Sequence, residues 1–179
     1  MKCLVFDVET SGLRLPEVAN PSAQPRIIEL GAIAIDSRTK IGEYSQLVFP
    51  GFVISAEITK ITGIKADDLK GKPVFRDVLP ALKAFFEGTD LLIAHNALFD
   101  YDMLTHEVNV AGCEDFPWPK DVICTAQEYQ PVFGFNPTMK QIYERVIGVP
   151  LEQTHRALDD VQALLAIIEK DDFLTRLGY

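Results

Sequence analysis

An aspartate stands inside the first apolar run of this chain, and that placement limits what the chain can fold into. Residues 2–8 read Lys-Cys-Leu-Val-Phe-Asp-Val, a near-continuous apolar run rich in β-formers. Such a run predicts a buried central strand. Glu9-Thr10-Ser11-Gly12 then breaks it. Side chains alternate along a strand, so Asp7 and Glu9 share one face at its C-terminal end. That is the end at which α/β sheets usually place their ligands. Two readings stay open: the acids mark where the strand leaves the core, or they belong to a site. Short Asp-x-Glu spacings are common, so the pair alone does not decide. The cost of enclosing an unpaired carboxylate weighs toward a site, because Asp7 then needs a cation.

The rest of the chain continues in the same pattern. Arg14–Pro25 holds three prolines with Asn, Ser and Gln and predicts a surface loop. Arg26–Asp36 and Glu43–Phe49 read as two further strands around a polar turn at Ser37–Gly42, giving an antiparallel meander. Val74–Glu87 carries Val74, Val78, Leu82, Phe85 and Phe86 at helical spacing, with Pro80 obscuring where the helix starts. Leu91–Ala94 is a short buried strand, and Ala97–Val110 a helix ending at Gly112. Val122–Cys124 suits a brief edge strand, and Thr138–Ile147 and Arg156–Glu169 are helices. Strands first, then alternating helix and strand, predict an α/β fold, a mixed central sheet with helices on both faces. At 179 residues the expectation is a single domain over residues 1–179.

Composition excludes more than it assigns. No window approaches the eighteen apolar residues of a membrane span, and the acid within the first apolar run argues against a signal peptide. Three cysteines, Cys3, Cys113 and Cys124, are far apart with no Cys-x-x-Cys pair. That fits reduced thiols in the cytoplasm and opposes a zinc ribbon or a disulfide framework. A formal net charge of −9 at first counts against nucleic acid. Acids concentrated at a metal site weaken the objection, since bound cations cancel the local charge.

Two later segments add acids. In Ala94-His95-Asn96-Ala97-Leu98-Phe99-Asp100 a buried strand runs out into polar residues and a helix begins. Asp100 falls in the first helical turn, where an anion is favoured, so for this segment alone ordinary first-turn preference is the better explanation. In His155-Arg156-Ala157-Leu158-Asp159-Asp160 two adjacent acids compete. At roughly 100° per residue, Asp160 lies at the edge of the stripe Leu158, Val161, Leu164, Leu165 and Ile168, while Asp159 points away. Asp160 therefore faces a cleft between helix and sheet. His155 precedes the helix and can turn toward the same cleft or stay at the surface, and His106 reads as a surface residue mid-helix.

Together the segments resemble the DEDDh group of the DnaQ-like 3′→5′ exonuclease family. Phe6–Leu13 resembles its first motif, His95–Asp100 its second, and His155 with Asp160 its third. Arg26–Gly31 and Ile61–Ile64 resemble family segments between them. The resemblance implies a ribonuclease-H-like three-layer fold that gathers Asp7, Glu9, Asp100 and Asp160 around two divalent cations, Mg²⁺ or Mn²⁺. Electrostatics makes the same demand: like charges at 4 Å repel by about 4 kcal/mol at an effective dielectric near 20. By the resemblance, His155 is the general base, a role imidazole suits because it titrates near neutrality. The resemblance also implies that nucleoside 5′-monophosphates leave the 3′ end. A terminal-nucleotide pocket carries over to Thr10, Leu13, Ile61, Asn96 and Phe99; Ile61 and Phe99 are alternatively plain core residues.

The expected partners are nucleic-acid 3′ ends, with single-stranded DNA favoured over RNA, and a polymerase. No membrane partner is expected. Two departures from the family pattern bear on substrate: Cys124 precedes Thr125 where many relatives carry an acid, and Thr62 stands where some proofreading relatives carry histidine. The competing readings are an RNA-directed exoribonuclease of the same family and a non-catalytic domain that docks a polymerase. The chain ends at Tyr179, shortly after its last expected helix, which leaves a stand-alone enzyme and a polymerase subunit both open.

Overall fold

The computed structural model describes residues 1–15 and 24–179. β1 (Lys2–Thr10) lies at the middle of a five-stranded sheet ordered β3-β2-β1-β4-β5. β2 (Ile27–Asp36) and β3 (Thr39–Leu47) pair antiparallel outward from β1. β4 (Leu91–Ala94) and β5 (Asp121–Cys124) add in parallel on the other side. This is the mixed sheet the sequence predicts, with the expected meander. The apolar run of β1 is explained by that central position, since both of its faces are covered.

Alternation divides the core. Leu4, Phe6 and Val8 point to one face and meet α3 (Phe75–Phe86) and α4 (Ala97–Ala111). Cys3 and Val5 point to the other and meet α7 (Met139–Ile147) and α8 (Ala157–Lys170). A smaller cluster of Ile28, Ile54, Ile64 and Leu69 lies beneath α1 (Ala56–Thr62) and α2 (Ala66–Leu69). Short helices α5 (Thr125–Glu128), α6 (Gln130–Phe133) and α9 (Phe173–Arg176) complete the elements. Helix α3 runs through Pro80, so the proline marks no boundary.

Some elements differ from the sequence reading. β3 begins at Thr39 rather than Glu43, because the turn is only Ser37-Arg38, both with positive φ (48° and 70°). That geometry closes a two-residue hairpin without the Gly or Asn that usually signals one. Ile41 is the extra residue of a bulge, since Ala34 and Ile35 pair with Gly42 and Lys40. Helix α1 was not expected, although Ser55 caps it by accepting from the Ile58 amide and Gly63 ends it in the left-handed region. The loop expected over Arg14–Pro25 lies largely outside the described residues. His106 is buried rather than at the surface, and its Nε2 has no partner among the described residues.

One close approach fixes how α8 meets the sheet. A Cβ built on Gly31 of β2 would stand 2.5 Å from the Ala157 carbonyl carbon and 2.6 Å from the Leu158 nitrogen. Only glycine lets the first turn of α8 rest on this strand. Gly31→Ala is expected to cost about 1–3 kcal/mol, as overpacking does. Because the obstruction is backbone, α8 must move as a unit. A thermal melt and a nucleotide-release assay should both register the change.

Candidate active site

Asp7 and Glu9 lie on the α8 face of β1, opposite Gly31 and Glu29 of β2 in the strand register. Both keep partial access to the cleft at the strand end. Helix α8, resting on Gly31, brings Asp160 to the same place. Asp160 is buried, whereas Asp159 is exposed and accepts the Thr154 hydroxyl at 2.7 Å. The helical phase predicted that split. Ligand atoms of Glu9, His155 and Asp160 lie within 4.8 Å of one another. Asp100 enters from the first turn of α4, buried, and its Oδ1 accepts the Val8 amide at 3.1 Å. That bond ties α4 to β1 between the two acids of the first cluster.

The compensation these acids find in the protein is small: the Arg156 charge acts on Glu9 and His155 on Asp160, and burial outweighs both. Enclosure by protein pushes the Asp7 carboxyl up to about 8, helped by the charges of Asp160 and Glu29. Glu9 is likewise pushed up to about 8, by desolvation first and then by Asp7 and Asp160. Burial raises Asp100 well above the usual carboxylate range, with Asp7 adding to it. Desolvation also raises Asp160, while the Gln153 amide, donating at 3.3 Å, pulls the other way. Among the described residues, no lysine or arginine forms an ion pair with any of the four. Four raised carboxyls with no lysine or arginine ion pair, and only the His155 ring nitrogen beside them, fit hard divalent ions.

The residues expected to take a terminal nucleotide are distributed less uniformly. Leu13 is 77% exposed and Ile61 52% exposed, which removes the core reading for Ile61. Asn96 is exposed with φ at 62°, and Phe99 is half-buried against the α3/α4 core. Thr10 is buried and its hydroxyl donates to the Gly12 carbonyl at 2.8 Å, a turn-forming bond. His95 is half-buried, with Nδ1 3.1 Å from the Thr125 hydroxyl. Burial pushes its imidazole down to about 4, so it is neutral at physiological pH and joins β4 to α5.

Two buried glutamates carry structure that the sequence reading left without a role. Glu29 accepts from Arg156 Nε at 3.0–3.1 Å, Arg156 Nη2 at 2.6 Å and the Ala157 amide at 3.0 Å. Glu107 of α4 takes Arg26 at 2.6–2.7 Å through two nitrogens and the Ile27 amide at 3.0 Å. Each pins one element of the site to the sheet. For Glu29 the available signal was an acid inside an apolar pattern; Glu107, between His106 and Val108, offered none, and neither did the partners far away in sequence.

A mixed sheet in this order, with carboxylates from β1, α4 and α8 converging on one strand end, defines a ribonuclease-H-like nuclease fold. The exonuclease family model RNase_T matches residues 4–168, and the chain belongs to that family, the DnaQ-like DEDDh exonucleases. It is therefore an exonuclease. The DNA polymerase III subunit epsilon of Treponema pallidum is 33% identical over 165 residues, spanning 90% of this chain and 72% of that protein. A PolC-type DNA polymerase III of Clostridium perfringens is 29% identical over 93% of this chain, which spans only 11% of that polymerase. Among solved structures, the nuclease domain of 3′hExo, a DEDDh family member bound to rAMP, superposes with a TM-score of 0.75. The match has 18% identity and covers 95% of this chain and 92% of that one. Exonuclease X in complex with 5′ overhanging duplex DNA gives 0.66 at 22% identity, over 99% and 93%. No helix among the described residues is long and apolar enough to cross a membrane.

Proposed function

We propose that residues 1–179 form one catalytic domain that removes nucleotides from the 3′ end of single-stranded DNA, releasing nucleoside 5′-monophosphates. The observation that carries the reading is the set of four clustered carboxylates without a basic partner, beside an exposed histidine. Asp7, Glu9, Asp100 and Asp160 would hold two Mg²⁺ or Mn²⁺ ions. When bound, these would supply a water activated at neutral pH and charge neutralisation at the departing oxygen. His155 takes the proton of the attacking water at a ring nitrogen. Leu13, Ile61 and Phe99 offer apolar surface to the terminal base without reading its identity, Asn96 offers an amide, and Thr10 shapes the turn that carries Leu13.

The similarity to an epsilon subunit favours DNA and a polymerase partner in the cytoplasm. An RNA substrate is the second reading, favoured by the likeness to an exonuclease whose structure holds rAMP. A 5′-labelled single-stranded oligonucleotide incubated with Mg²⁺, Mn²⁺ or EDTA tests the proposal. The expected result is a ladder shortening from the 3′ end with either metal and none with chelator. Chelator-insensitive binding without release would point to a docking domain, and faster loss of a matched RNA would reverse the substrate preference.

A further inference from the structure

His155 is the last residue before the cap of α8, and its backbone is in the left-handed region at φ 52°. That conformation is uncommon for a residue with a Cβ and is kept where its surroundings favour it. The next two residues are anchored. Arg156 lays two guanidinium nitrogens on the Glu29 carboxylate and Ala157 donates its amide to it, while Gly31 admits the Ala157 backbone against the strand. Glu29 is 2% exposed and Arg156 is the only basic side chain it meets among the described residues. Across the sheet it faces Glu9, whose carboxylate belongs to the cluster that includes His155 and Asp160.

We infer that Glu29 is a positioning residue: through Arg156 and the Ala157 amide it imposes the left-handed turn at His155 that aims the imidazole at the carboxylate cluster. The inference rests on the reading of His155 as the general base. It assigns Glu29 an orienting role separate from the metal, since its oxygens are already committed to three donors. It also makes the forked geometry of Arg156 matter, because a lysine ammonium cannot hold both carboxylate oxygens in one plane.

The test is a mutant cycle read in kcat and KM on a single-stranded oligonucleotide with Mn²⁺. Glu29→Gln keeps an oxygen for the Ala157 amide and loses the ionic fork. It is expected to lower kcat by about 10–100-fold, as a displacement on the order of 1 Å does, with KM changed less than about threefold. In a His155→Ala background the same substitution should change kcat less than about twofold, because the group it orients is gone. Arg156→Lys should reproduce the kcat loss while its melting temperature stays near wild type, which separates orientation from folding. Equal losses from Glu29→Gln in both backgrounds would overturn the inference and leave the exonuclease reading standing. A wild-type protein that releases no nucleotide would remove both.

Discussion

Replacing Asp7 by asparagine is expected to abolish metal-dependent nucleotide release while raising the melting temperature of the chelated protein at pH 8 and above. The two effects share one cause. In the metal-free fold the Asp7 carboxyl is pushed up to about 8 by enclosure and by the charges of Asp160 and Glu29. In the unfolded chain it titrates near 3.8. The folded state therefore holds a proton that the unfolded state releases, and stability falls as pH rises from about 4 toward 8. Asparagine is neutral throughout, so its advantage should be absent near pH 4, grow across that interval and level off above it. Moving a carboxyl from 3.8 to about 8 corresponds by linkage to roughly 5–6 kcal/mol as an upper bound, and Asp7 belongs well below it because it keeps contact with the cleft. For a chain of this size each kcal/mol shifts the melting temperature by about 2–4 °C.

Activity moves the opposite way. Asparagine presents one neutral oxygen where the cluster needs an anion, and divalent ions contribute several kcal/mol to such reactions, so a loss on the order of 10³-fold or more is expected. Magnesium or manganese should raise the melting temperature of the wild type more at pH 8 than at pH 6, because protons and metal compete for the same oxygens. The variant should show little of that increment. A variant no more stable than wild type in EDTA at pH 8 would mean that Asp7 is already compensated within the protein.

Asp7, Glu29 and Glu107 differ in how much of their surroundings is legible in the sequence. Asp7 and Glu29 are acids set among apolar neighbours in the sequence, Glu107 is buried in the fold between His106 and Val108, and each needs a cation. For Glu29 and Glu107 the structure supplies Arg156 and Arg26. For Asp7 it supplies none among the described residues, and that contrast is what points to metal. Sequence reading reaches the demand but not its resolution, because both arginine partners lie more than eighty residues from their glutamates. Local periodicity, by contrast, carried the strands, the helices α3, α4, α7 and α8, and the choice of Asp160 over Asp159. It failed at β3 because the Ser37-Arg38 turn uses positive φ without glycine, and the polar Thr39-Lys40 start resembles loop. It failed at His106 because burial there comes from the packing of α4 and not from any pattern in its neighbours.

His155→Ala should divide the two roles that the geometry leaves to this residue. The imidazole lies within 4.8 Å of Glu9 and Asp160 oxygens, close enough to serve as base or as ligand. Hard ions such as Mg²⁺ prefer oxygen, which argues for the base. Removing a positioned general base costs on the order of 10²–10⁴ in kcat. If that is the role, the metal concentration for half-maximal activity should stay within about twofold of wild type. A ligand role would instead shift that midpoint upward and let excess metal restore turnover. The side chain is exposed, so the melting temperature should barely change. Alanine inherits the left-handed backbone at this position, whereas glycine adopts it freely, so His155→Gly should melt above His155→Ala while remaining as inactive. Near-normal turnover in either variant would remove His155 from the reaction and leave the four carboxylates to account for it alone.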